Sequence, residues 1–431
     1  MRRKLLPFVV VLLVLAALDG RAQQGATREG YEAYVAAMGA YRAGDLTAYR
    51  DGLLRADSLL PGQPALRRRL AGAEARLGRL DQAAAWLTRL ASMNVRVDLD
   101  QDKDLLPLRD RPEYAAAKAR QADLDKSIRS SIMGAEVPEK QLITEGIAFD
   151  PVPRRLFISS VHKRKILGYR DGRWSDFAPA RGESLLAPLG MTVDRDNNSL
   201  WVVTTAMAEM TGYDSTMEGR AELVRLDLDS GRRLGTWAVP DTGRDHNLND
   251  LVMDGRGRLY LSDSRSGAIY RLESAEHDHL EMFLPRGTFG SPNGLAMGKD
   301  DTSLYVSDYT LGVYVVSVPS RAIDRLAAPD SLCLNGVDGL VGLGNGLVMI
   351  QNGIQPHRLV RAMLDDAGRR ITSVVTLDRA NPAWDEPTLG VVDGQEMFYN
   401  ARSQWGKVLP GGVMPPADSL ALPLLMRVRV R

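Results

Sequence analysis

EGIAFD (145–150), LGMTVD (189–194), NDLVMD (249–254), NGLAMG (293–298), DGLVGL (338–343) and TLGVVD (388–393) open alike. Each has a variable first residue, usually a small residue or Asp second, and in most of them apolar residues at the third and fifth positions. That alternation is the two-residue period of a strand. The starts lie 44, 60, 44, 45 and 50 residues apart, and self-similarity at such a period marks a modular array.

Behind each start comes a second strand-like run: RLFISS (155–160), SLWVVTT (199–205), RLYLSDS (258–264), SLYVSDY (303–309), GLVMIQN (346–352) and QEMFYNA (395–401). A third follows in KILGYR (165–170), AELVRLDL (221–228), AIYRLE (268–273), VYVVSV (313–318) and HRLVRAML (357–364). Antiparallel units of this length predict a mainly β fold, a six-bladed β-propeller whose blades surround a channel. The first strand of each blade lines that channel. The six first positions, Glu145, Leu189, Asn249, Asn293, Asp338 and Thr388, then form a ring at one mouth. Glu145, Asn249, Asn293 and Asp338 carry oxygens able to ligate a metal. Such a set suits Ca²⁺ or Mg²⁺ better than Zn²⁺, which prefers His and Cys. Its two carboxylates balance a divalent ion. Leu189 and Thr388 leave sectors where water or substrate would complete the shell, the open position a Lewis-acid site requires.

Outward from the ring, the chain divides into a signal peptide (1–22), a helical tetratricopeptide-like domain (23–127), a linker or closing strand (128–136) and the propeller (137–431). Arg2, Arg3 and Lys4 precede an uncharged apolar run from Leu5 to Leu18, with Gly20 and Ala22 before a cut at Gln23. This is a secretory pattern, and the run is shorter than the roughly 20 residues a spanning helix needs. The mature chain is expected in the periplasm or outside the cell, with no stable membrane span after cleavage. Cys333, the sole cysteine, excludes an intramolecular disulfide framework. The 55 Lys and Arg nearly balance the 54 Asp and Glu, which gives no reason to expect nucleic acid as a partner.

In the helical segment, YRAGDLTAYRDGLLRADSLLPGQP (41–64) resembles ARLGRLDQAAAWLTRLASMNVRV (75–97). Gly44 and Gly78 lie 34 residues apart, the tetratricopeptide period. About two such repeats are too few to stand alone, so the segment is expected to pack on the propeller or on a protein partner. A strand near Ser130–Val137 is expected to complete the sixth blade, because ring closure removes exposed edges.

Two connections after second strands are long, 207–219 and 403–421, and should rise around the mouth that carries the ring. His246 and Asn247 lie just ahead of Asn249, on the same side. Asp263, Asp308 and Asn352 end second strands and are candidates to orient the ligands or touch substrate. His162 and His357 fall in or beside loops on that face.

Taken together, Glu145-Gly146, Asn249-Asp250, Pro292-Asn293-Gly294-Leu295 and Asp338-Gly339 resemble the SMP-30/gluconolactonase/LRE-like family of six-bladed propellers, over roughly residues 137–431. The likeness extends more distantly to paraoxonases and diisopropylfluorophosphatase. The resemblance implies one divalent cation, Ca²⁺ first with Mg²⁺ or Zn²⁺ as alternatives, held by Glu145, Asn249, Asn293 and Asp338. It also implies Asp338 as the catalytic base or nucleophile for water attack on a lactone or ester. One departure stands out. Sugar-lactonase members often carry Arg two residues before the blade-three Asn, and here that residue is Asn247. The expectation is a metal-dependent hydrolase of the lactonase or esterase type. The alternative is a non-catalytic binding propeller with a structural ion.

Overall fold

The structure, a computed structural model, describes residues 22–240, 243 and 245–430. Apart from its last residue, the leader expected at 1–22 lies outside them. Strand-period sequence from residue 144 onward folds into six antiparallel sheets. Their inner strands are Thr144–Asp150, Ala187–Asp194, Leu248–Met253, Pro292–Met297, Val337–Gly342 and Gly390–Asp393. Each inner strand packs beside the next and the sixth returns to the first. The fold is a closed six-bladed β-propeller preceded, among the described residues, by five α-helices.

Second strands are the most buried parts of the blades. No residue of Ser199–Thr205 or Gly346–Gln351 reaches solvent appreciably, because each is covered by a neighbouring blade on both faces. Phe157 and Ile166 of blade one pack against Leu200 and Val224 of blade two, and Tyr260 and Phe283 of blade three against Leu304 and Val316 of blade four. The outermost strands, such as Arg173–Ala178 and Arg233–Ala238, keep one side in water.

The segment ahead of the first blade stitches the ring shut. Ile128–Arg129 pairs with the outer strand Ile371–Arg379 of blade five. Ile132–Glu136 then pairs with Leu424–Arg429 and forms the outer strand of blade six, with Ile132 opposite Arg427 and Glu136 opposite Leu424. One short stretch therefore supplies edges to two adjacent blades.

The helices are α1 (Ala22–Ala43), α2 (Leu46–Leu59), α3 (Pro64–Arg76), α4 (Leu80–Ser92) and α5 (Pro112–Leu124). Gly44 and Gly78 turn the α1–α2 and α3–α4 hairpins at φ of +80° and +74°, backbone that a side chain disfavours. Pro64 and Pro112 start α3 and α5, where the missing N–H costs nothing. None of the described helices is long and apolar enough to cross a membrane.

This helical region packs on the propeller at blades four and five. Cys333 and Ile354 join the core formed by Leu87, Leu90 and Leu105. Arg67 donates to Asp330 at 2.8 Å, and the Arg96 N–H donates to the Gln355 carbonyl at 2.6 Å. Arg358, only 3% exposed, donates to the carbonyls of Asn94 and Cys333, both at 3.0 Å, and to Gln351 Oε1 at 2.7 Å. Burial lowers its pKa to about 10. These contacts lie in connections after second and fourth strands, at the end of the propeller where the first strands begin.

Candidate functional site

The inner strands of blades one to five share an irregularity at their start. Register shifts fall between Thr144 and Ile147, Pro188 and Met191, Leu248 and Leu251, Pro292 and Leu295, and Val337 and Gly339. Each interval contains the first-position residue. A bulge of this kind leaves a residue unpaired and re-aims its side chain. In blade six the paired strand begins only at Gly390, and ahead of it Thr388 and Leu389 both bond the backbone of Asn400.

Close packing of the inner strands explains the second position. A Cβ on Gly146 would lie 1.9 Å from the Leu189 carbonyl oxygen, on Gly294 2.4 Å from that of Asp338, and on Gly339 2.7 Å from that of Thr388. Side chains from second strands tie each blade to the next. Ser262 Oγ donates to the Asn293 carbonyl at 2.7 Å, Ser307 Oγ to the Val337 carbonyl at 3.0 Å, and Asn400 Nδ2 to the Glu145 carbonyl at 2.7 Å.

The bulged residues converge. Glu145, Asn249, Asn293 and Asp338 line one cavity of about 180 Å³ at the channel mouth. Of the other ring members, Leu189 lines it too. Thr388 instead turns its hydroxyl to the Glu145 carbonyl at 3.1 Å. Asn247 and Asn352 complete the part foreseen from sequence. Asn352 Nδ2 donates to Asp338 Oδ2 at 2.6 Å and Asn293 Nδ2 to Asp338 Oδ1 at 3.1 Å, so the carboxylate is gripped on both oxygens.

The remaining candidates stand behind the cavity. His246 is buried with its Nδ1 2.6 Å from Asp263 Oδ2. Asp263 also accepts from the N–H groups of Asn247 at 2.9 Å and Ser266 at 3.1 Å. Burial alone would raise its pKa, but these hydrogen bonds and that from His246 hold it below the usual carboxylate value. The pair thus fixes the loop that presents Asn247. Asp308 accepts from the Gly290 N–H at 2.6 Å and the Thr310 N–H at 3.0 Å, closing turns in blade four. His162 Nδ1 lies 2.7 Å from the Glu209 carbonyl, against the 207–219 loop. His357 contacts Gln355 at 2.7 Å, and burial lowers its pKa.

Sequence reasoning passed over Met207, Tyr309, Glu386 and Trp405, all of which line the cavity. Tyr309 donates to Asn352 Oδ1 at 3.0 Å, and the Trp405 indole N–H donates to Glu145 Oε2. Met207 and Trp405 come from the two long connections. Those connections meet, since a Cβ on Gly412 would lie 2.4 Å from the Ala208 backbone, and Met207, Met217, Trp405 and Met414 pack on one apolar core. Glu386 precedes the Thr388 start by two residues; its position relative to that repeat was the only sequence signal.

Three carboxylates therefore share the cavity. Burial raises Glu145 well above the ordinary glutamate value, with Asp338 and Glu386 adding to the effect and the Trp405 hydrogen bond opposing it. Asp338 is pushed up to about 6 by burial, against the hydrogen bonds from Asn352 and Asn293. Glu386 rises to about 7 through burial, then the charges of Asp338 and Asp385. Asp250, on the strand beside Asn249, also reaches about 7 by burial, although the Leu295 N–H donates to it at 3.0 Å. Burial pushes the Tyr309 hydroxyl up as well, helped by the same carboxylates.

Buried like charges in one cavity ask for a counter-charge. Asn249 Oδ1 and Asn247 Oδ1 are buried without a hydrogen-bond partner, a state that costs free energy unless a ligand meets them. Among the described residues no three His, Cys, Asp or Glu side chains could hold an ion by themselves. The donor set is mixed, two carboxylates with amide oxygens, and that chemistry fits a hard divalent cation.

No protein-family model and no curated protein matches the chain. Solved structures with a similar fold include the calcium-binding protein regucalcin from Agrobacterium tumefaciens, at TM-score 0.49 and 14% identity, covering 70% of this chain and 95% of that one. A gluconolactonase from Xanthomonas campestris gives TM-score 0.46 and 18% identity over 70% of this chain and 99% of that one. Virginiamycin B lyase from Staphylococcus aureus gives 0.44 and 15% over 64% and 82%.

Proposed function

We propose that this chain is a divalent-cation-dependent hydrolase of lactone or ester bonds, exported to the periplasm or beyond. The observation that carries the reading is the convergence of Glu145, Asn249, Asn293 and Asp338, each from a different blade, on one cavity with an unpartnered Asn249 Oδ1. Bound there, Ca²⁺ or Mg²⁺ supplies Lewis-acid polarisation of a carbonyl.

The chain's own residues do the rest. Asp338 takes the proton of the attacking water, as a carboxylate that the bound ion would keep ionised. Asn293 and Asn352 hold its two oxygens so that the carboxylate does not swing away. Trp405 fixes Glu145, and with Leu189 and Met207 forms the apolar wall that excludes water.

Turnover of a lactone and aryl-ester panel with Ca²⁺, Mg²⁺ or Zn²⁺ tests the reading. Asp338→Ala is expected to lower it by roughly 10²–10⁴, the usual share of a general base, and chelation to abolish it. Activity indifferent to both overturns the mechanism. The packing of the helical region on the rim of the same mouth favours a second reading, a binding propeller in which the ion ties blades together. Loss of thermal stability on chelation, with no turnover of any substrate, would select it.

A further inference from the structure

The cavity's polar groups are unequally matched. Its Trp405, Tyr309, Asn293 and Asn352 donors are already engaged by Glu145, Asn352 and Asp338. Its unengaged groups include the acceptors Asn247 Oδ1 and Asn249 Oδ1, both buried. The carboxylate of Glu386 adds to them, since it accepts no hydrogen bond from any described residue. Among the described residues no Lys, Arg or His lines the cavity. A divalent ion balances two of the three carboxylates, those of Glu145 and Asp338. The carboxylate of Glu386 then has no partner among the described residues.

We propose that Glu386 is the specificity-determining residue of this pocket and selects a substrate that carries an ammonium group close to its reactive carbonyl. This inference rests on the hydrolase reading of the site and names its substrate class. An ammonium supplies three donors and one positive charge, which meets Asn247 Oδ1 and the Glu386 carboxylate together, Asn249 Oδ1 being the ion's. An anionic substrate meets the reverse, a carboxylate with no cation to offset it. Asn247 acts in the same direction, because its buried amide oxygen is an acceptor that meets no donor of the described residues. Leu189, Met207 and Trp405 offer the apolar surface against which the hydrocarbon part of the molecule rests.

The test uses the full chain loaded with Ca²⁺ and three γ-butyrolactones that differ in one substituent: aminomethyl, hydroxymethyl or carboxyl. Calorimetric binding and turnover are both read, and Ca²⁺ affinity is measured in parallel. The expected order is aminomethyl tightest by about tenfold, then hydroxymethyl, then carboxyl, the size of one charged contact. Glu386→Gln should compress that order to within about threefold with Ca²⁺ affinity unchanged, and Glu386→Asp should retain part of it. An order that Glu386→Gln leaves intact overturns the proposal. So does a loss of Ca²⁺ affinity in that variant, which would make Glu386 an ion ligand. Ammonium preference in binding without turnover supports the proposal and counts against the hydrolase. Turnover without charge preference does the opposite.

Discussion

Blades two and six both fail to give the ring an oxygen donor, and they fail for different reasons. Leu189 sits on a bulged inner strand and reaches the cavity, but its side chain is hydrocarbon. Thr388 has a hydroxyl, but it lies ahead of the paired strand Gly390–Asp393 and the hydroxyl is taken by the Glu145 carbonyl. Backbone is right and chemistry wrong in one sector; in the other an oxygen is present but aimed elsewhere. A site residue in this fold thus needs both a strand start that aims it into the cavity and a side chain able to ligate. Blades one, three, four and five satisfy the pair of conditions together.

The donor sectors are expected to reveal themselves first through pH. In chelated protein the folded pKa of Asp338, about 6, stands above the ordinary 3.8. A raised carboxyl favours folding below the unfolded value, and that contribution is lost as pH rises through the folded one. The ion-free chain should therefore lose stability relative to its Asp338→Asn variant as pH rises from about 4 to about 7. Saturating Ca²⁺ should flatten this difference, because the bound charge reverses the local preference for the neutral acid. Denaturant melts of both proteins across that range, with and without Ca²⁺, check the claim. A difference that does not change with pH would mean that the carboxylate is not held as described.

A second effect, about tenfold, should separate the two silent sectors. Leu189→Asn places an amide oxygen on a strand already bulged toward the cavity, and Ca²⁺ is expected to bind about tenfold tighter, about 1.4 kcal/mol. The ion-free variant should be less stable, since Leu189 is only 2% exposed and packs in the core of blades one to three. Calorimetric titration of Ca²⁺ into wild type and variant gives the comparison. Unchanged affinity would show that the bulge alone does not aim a donor.

Much of this was legible in the sequence, and the gaps have physical causes. Inner, second and most third strands stand out as apolar runs because neighbouring blades bury them. The fourth strands of blades one to five were not read: Arg173–Ala178 and Ile323–Arg325 are half solvated, so alternation is weak. Four cavity residues recur at one phase of the repeat and so announced themselves. Met207 and Trp405 come from connections with no repeat phase, and only the fold brings them to the mouth, whereas Tyr309 ends a second strand at the phase of Asn352 but is not a residue type that announces an ion site. Asp263 and His246 illustrate the reverse. Their residue types suggested chemistry, but the structure engages them in holding the loop before Asn249.

The smallest effect comes from Thr388 and bears on the other half of the comparison. Its Oγ1 donates to the Glu145 carbonyl at 3.1 Å, in parallel with Asn400 Nδ2 at 2.7 Å. That carbonyl belongs to a ligand residue, so two side chains of blade six hold the strand that presents Glu145. Thr388→Val keeps the shape and removes one of the two donors. Because Asn400 still satisfies the carbonyl, the variant should lose only about 1 kcal/mol of stability, the net worth of a neutral hydrogen bond. Ca²⁺ affinity should stay within about twofold of wild type, a change under about 0.4 kcal/mol. A larger fall in affinity would mean that Thr388 serves the ion site by setting the position of Glu145. The two silent sectors would then differ in kind: blade two would merely lack a donor, while blade six would govern the donor of its neighbour.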